Sequence, residues 1–194
     1  MDNITISNMA LSHIGVANID RMDEASEPAR LCKQFFDTAR RTTLRKFPWP
    51  FATRRQVLGL LTTVPGDYLY AYRYPTECVA IRKLFDESFR FIPEYQRYKI
   101  LSDKEGRVIY TNVENCVCEF TADVKDCDLF DEGFIEALTW KLAADIAFKL
   151  TGNQNIQSQC LQAYNAFFDE GSVDAANEEN ELDPRLDKFA MARY

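Results

Sequence analysis

The sequence predicts an α+β fold: an antiparallel helical bundle of about four helices with an inserted small antiparallel β domain and an extended C-terminal arm. Three observations carry that expectation. Apolar residues recur at spacings of three and four near both ends of the chain. Residues 56–124 instead show short runs of period two. Between the two patterns lies Phe47-Pro48-Trp49-Pro50-Phe51, where Pro48 and Pro50 lack an amide hydrogen and fix φ, so no helix runs through. The expected units are a discontinuous helical domain (1–47 and 126–178), a β domain (48–125) and an arm (179–194).

Asp2 or Asn3 can cap a first helix whose apolar residues are Ile6, Met9, Ala10 and Ile14, and Gly15 ends it. His13, the only histidine, lies on this helix. It reads as an ordinary packed or surface side chain, because a catalytic base needs partners that the sequence does not identify. Ser26 caps a second helix with Glu27 and Pro28 in its first turn. Ala29, Cys32, Phe35 or Phe36, Ala39 and Thr43 give it an apolar stripe. Phe47 and Trp49 each precede a proline and are pushed toward extended backbone, so this helix must end near Lys46. Phe47, Trp49 and Phe51 then pin the corner Pro48-Trp49-Pro50-Phe51 into a core as a buried hydrophobic elbow.

Beyond the corner, Tyr68, Tyr70, Tyr72 and Tyr74 recur with period two, which places four rings on one face of an extended segment. Such a row can stack bases, but covering a sheet is the commoner use and the one expected here. Strands are predicted at 79–85, 89–92, 98–101, 108–111 and 116–122, with a hairpin turn at "SDKEGR". Cys116 and Cys118 share one strand face, and Cys127 follows nine residues later. Structural zinc draws on C-x₂₋₄-C knuckles, so buried free thiols are expected, with no metal or other cofactor.

The acidic stretch holding Asp123, Asp126, Asp128, Asp131 and Glu132 lacks the spacing of an EF-hand. It precedes a helix, where carboxylates cap free amides and complement the dipole. That helix carries the row Phe134, Leu138, Leu142, Ile146 and Leu150, flanked by Ile135, Ala143 and Ala147. Gly152 stops it, and Asn153 or Asn155 caps a last helix with Ile156, Cys160, Ala163 or Tyr164, and Phe167. The short turn makes the pair an antiparallel hairpin.

The net charge of -7 argues against general nucleic-acid affinity. No apolar run reaches the roughly 18 residues of a membrane span. The N-terminus has no basic region before its apolar part and the six cysteines form no CxxC pair, so reduced thiols and a cytoplasmic origin are expected. Against this acidity, residues 38–66 hold Arg40, Arg41, Arg45, Lys46, Arg54 and Arg55 and no carboxylate. Such a block can face DNA in a channel or an acidic neighbouring subunit, or be a solvated helix face. A match exists in Asp169, Glu170, Asp174, Glu178, Glu179, Glu181, Asp183 and Asp187. A ring joins two different patches of each subunit head to tail, and opposed charges fit that geometry.

In order along the chain stand "ALSHIG", the linker "DRMDEASEPA", "FFDTARRTTLRKFPWPFA", "YRYPTEC" and "FDEGFIEALTWKLAADIAFKLTGN". Together they resemble the tail tubular protein A family of short-tailed bacteriophages over nearly the whole chain. Glu77 stands where that family usually has Asp. The resemblance implies a structural virion protein, a head-to-tail adaptor forming a ring, dodecameric in the family pattern, between the portal and the tail nozzle. DNA would pass through its channel without sequence-specific binding, and no membrane would be involved. Assembly would take place in host cytoplasm, and the finished site would be the virion neck. The end of the chain, with Arg185, Leu186, Phe189, Arg193 and Tyr194, then reads as an arm engaging a neighbouring subunit or the portal, since aromatics and arginines dominate interface hot spots. The alternative there is a disordered tail.

No nucleophile elbow, phosphate loop or metal motif occurs, so the expectation is not an enzyme. The alternative is a virion-associated peptidoglycan hydrolase or head-completion protein with muralytic activity, which needs a carboxylate pair or a protonated glutamate in a cleft.

Overall fold

Helix α1 (Asn3–His13) begins where Asp2 Oδ1 accepts the Thr5 amide at 2.8 Å, and Gly15 closes it at φ +70°. Ile6, Ala10 and Ile14 form its buried row, which widens toward Ser7 and Leu11. Met9, expected to face inward, lies on the opposite flank of that row and is exposed; Leu11 takes its place. Helix α2 (Glu27–Lys46) starts at Ser26, whose Oγ accepts the Ala29 amide at 3.3 Å, and ends where Phe47 turns extended. A 3-10 turn, Pro50–Ala52, follows.

Helix α3 (Glu132–Thr151) is capped by Asp131, whose carboxylate accepts the Phe134 amide at 2.6 Å. Gly152 ends it at φ +66°, a left-handed conformation that favours glycine, and its amide donates to Phe148 O. Asn153 Oδ1 then accepts the Asn155 amide at 2.9 Å to start α4 (Gln154–Glu178), which continues through Gly171. The sequence read α3 as one apolar row flanked by Ile135, Ala143 and Ala147. The structure packs α1, α2 and α4 all against it, so Ala137, Thr139 and Ala144 are buried as well, while Leu150 is only half-buried.

Among the described residues six strands lie between the helices: β1 (Thr53–Val57), β2 (Tyr70–Arg73), β3 (Cys78–Phe85), β4 (Lys99–Asp103), β5 (Gly106–Thr111) and β6 (Val117–Ala122). They form two antiparallel sheets of order β1-β6-β3 and β2-β5-β4. The β4–β5 hairpin closes with Asp103 opposite Gly106, as "SDKEGR" predicted. The computed structural model describes residues 1–62, 67–86 and 98–178, with α4 side chains to Phe168. The strand expected at 89–92 and the arm at 179–194 lie outside the described residues.

Every residue of the central strand β6 is buried, whereas every residue of the edge strand β4 is exposed. One hydrophobic cluster joins Leu44 of α2, Phe120 of β6 and Phe134 and Leu142 of α3, so the first sheet and the helices share a core. A small second cluster of Ala71, Val108 and Tyr110 belongs to the outer sheet. The tyrosine row divides between them. Tyr70, Tyr72 and Tyr74 pack on the main core, but Tyr68 precedes β2, loses the strand's alternation and joins the small cluster. Among the described residues no helix is long and apolar enough to cross a membrane.

Candidate functional site

The corner is built around Trp49. Its Nε1 donates to the Thr43 carbonyl at 2.9 Å, tying the turn back to the last turns of α2. Its ring lies 5.1 Å from Phe47, 5.2 Å from Phe134 of α3 and 6.1 Å from Phe168 of α4, mostly edge to face. Phe51 packs against Phe130 and Phe134. The exposed Pro48 and Pro50 therefore hold a buried aromatic wedge between α2, α3 and α4.

The carbonyl end of α2 receives a cap that local sequence does not announce. Arg82 of β3 donates through Nη2 to Leu44 O at 3.0 Å, Arg45 O at 3.0 Å and Phe47 O at 2.7 Å. Its Nε donates to Thr121 Oγ1 at 2.8 Å. A guanidinium there satisfies orphan carbonyls and complements the negative end of the helix. Its origin a whole strand away left no signal beside the helix.

The six cations of the basic block go to different places. Arg40 was expected on a surface patch, and the structure overturns this: it is 1 % exposed. Its Nη1 meets Asp123 at 2.7 Å and also donates to Val124 O, while Asp37 pairs with the same guanidinium. A buried guanidinium requires such neutralisation, and the acidic stretch before α3 supplies it. Arg41 is exposed and shares Asp123 at 3.7 Å. Arg55 pairs with Glu119 at 2.6 Å and lies over the Phe85 ring. Arg54 is exposed and donates to the carbonyls of Phe51 and Thr53. Lys46 Nζ stands 5.7 Å over the Phe168 ring. Arg45 is exposed at the end of α2 beside Arg82. Arg45, Lys46 and Arg54 thus carry no carboxylate partner among the described residues. The arm residues Arg185, Leu186, Phe189, Arg193 and Tyr194 lie outside those residues.

His13 stacks on Trp140 with centroids 3.6 Å apart, and its Nε2 lies 3.2 Å from Thr139 Oγ1. Burial against that ring lowers its pKa, with Glu136 opposing. This is a tie between α1 and α3. Cys116 and Cys118 are buried free thiols; burial pushes the first up to about 11 and raises the second as well. Among the described residues, no group of three or more His, Cys, Asp or Glu is placed to hold a metal ion. Glu119 is the one buried carboxylate among them, and Arg55 holds it.

The chain matches no protein-family model and no curated protein.

Proposed function

We propose that the chain is a structural virion protein, a head-to-tail adaptor whose copies form a ring between the portal and the tail nozzle around the DNA exit channel. The reading rests on the ordered motifs from "ALSHIG" to "KLTGN", and one observation carries it further. Lys46 and Arg54 flank the corner without carboxylate partners among the described residues, and Lys46 sits over Phe168, after which the sequence turns acidic. Residues 169–194 hold eight carboxylates against three cations. Each subunit thus has a cationic corner and an anionic segment, the two unlike patches that a head-to-tail ring requires.

Helix α4 runs ten residues past Phe168, about 15 Å of helix. In the proposed assembly, subunits dock on the portal and the anionic segment of each meets the cationic corner of the next. Any segment that orders only on docking adds an entropic cost, so the portal acts as the template for assembly. The channel stays open, and DNA passes without base-specific contacts.

Native mass measurement of the purified protein, alone and mixed with portal rings, tests the reading. One discrete complex of portal with a ring of this chain supports the adaptor. A protein that stays monomeric and joins no portal overturns it.

A further inference from the structure

Residues 53–61 edge both sheets in turn. β1 pairs with β6 through Val57, and the Leu58 amide continues the ladder by donating to Cys116 O at 2.9 Å. The chain then changes sheets. The Arg73 amide donates to Gly59 O at 2.9 Å and the Leu61 amide to Ala71 O at 2.8 Å, with Leu60 bridged to Tyr72. Successive residues of a strand aim their backbone groups to alternate sides. Leu58 faces β6, and Gly59 and Leu61 face β2, so the amides and carbonyls of Arg55, Val57 and Leu60 point away from both sheets. The side chains are open as well: Val57 is 64% exposed and Leu60 62%, and Arg54, Arg55 and Gln56 are exposed. An exposed edge with large apolar side chains is a template for one more strand. Main-chain bonds hold such a strand, and side chains at alternate positions select it.

The end of the chain carries matching chemistry. Residues 53–61 hold two cations and no carboxylate, whereas residues 179–187 hold four carboxylates and one cation. In an extended segment Glu179, Glu181 and Asp183 share one face and Leu182 takes the other. Arg54 and Val57 likewise lie on opposite faces of β1. A single pairing therefore sets the carboxylates beside Arg54 and Leu182 beside Val57. Pro184 has no amide to donate and ends the paired stretch. Sixteen residues, 179–194, follow helix α4, about 50 Å of extended chain, which is long enough to leave one subunit and lie along the next.

We propose that residues 179–183 of a second copy dock on this edge as an added strand, so that each subunit extends the β1-β6-β3 sheet of its neighbour. The inference rests on the ring reading and names where the anionic segment lands. Electrostatics chooses the partner, and the outward backbone groups of Arg55 and Val57 hold it.

Amide hydrogen exchange of the full chain, dilute and monomeric, is followed with and without a synthetic peptide of residues 176–187, and again with portal rings. The peptide should slow exchange at Arg55 and Val57 about tenfold or more. Val57→Pro removes an outward amide without touching the β6 ladder and should abolish that protection. Val57→Lys, a change at an exposed position, should weaken it about fivefold or more. No protection of folded wild type, or equal protection in both variants, overturns the docking. Protection present without peptide and independent of chain concentration places the chain's own segment on the edge, which overturns it too. A portal-bound ring whose Arg55 and Val57 amides still exchange fast overturns the docking and leaves the adaptor reading standing. Peptide protection in a chain that joins no portal supports the docking and overturns the adaptor reading.

Discussion

Arg40 and Arg45 stand five residues apart on α2 in one run of basic sequence, yet they occupy opposite kinds of environment. Arg40 faces inward, where Asp123, Asp37 and the Val124 carbonyl surround its guanidinium. Arg45 faces outward, with Arg82 bonded to its carbonyl and no carboxylate partner among the described residues. The first is a strut between helix and β layer; the second is available to a partner. A charge run in sequence is therefore not a surface. What decides each cation's role is whether the fold brings it a counter-charge, and that counter-charge comes from far along the chain.

The largest expected effect breaks the inner side of this comparison. Arg40→Ala leaves Asp123 and Val124 O without their buried donor and should cost about 3–5 kcal/mol in urea denaturation. A loss below about 1 kcal/mol would return Arg40 to the surface group. Next comes Arg82→Ala, which strips four bonds from the end of α2 and from Thr121 and should cost about 2–3 kcal/mol. Faster amide exchange at the last turn of α2 should accompany it, and uniform exchange across the helix would argue against a local cap. On the outer side, Arg45→Gln and Arg54→Gln should leave stability within about 0.5 kcal/mol, because neither fills a described ion pair. A large destabilisation in either would remove it from the available cations.

The smallest effect comes from pH. His13 has a lowered pKa in the fold, so it binds fewer protons there than in the unfolded chain. Stability is unaffected above about pH 6.5 and falls as pH drops below it, because the unfolded state then protonates first. Replacing His13 with Gln should flatten that part of the stability profile, and an unchanged slope would place the titrating group elsewhere.

The helices were legible because their signals are local. Asp2, Ser26, Asp131 and Asn153 cap as their types predict, and Gly15 and Gly152 terminate. The corner was legible for the same reason: two prolines forbid a helix and three aromatics require burial. The split of the six cations was not legible, since Arg40 finds its partner 83 residues away and Arg55 finds Glu119 across a strand pair. Period two misled at Tyr68 because the strand begins only at Tyr70. The centrality of α3 was hidden because one apolar row looks the same whether a helix packs on one neighbour or three.

The most direct test of the adaptor reading is the native mass of the chain mixed with portal rings, run beside an Arg54→Glu, Lys46→Glu double variant at the same ionic strength. The account predicts a discrete ring complex for wild type and its loss in the variant, which should remain folded and monomeric. Wild-type protein that stays monomeric beside the portal, or a variant that assembles as well as wild type, would contradict it.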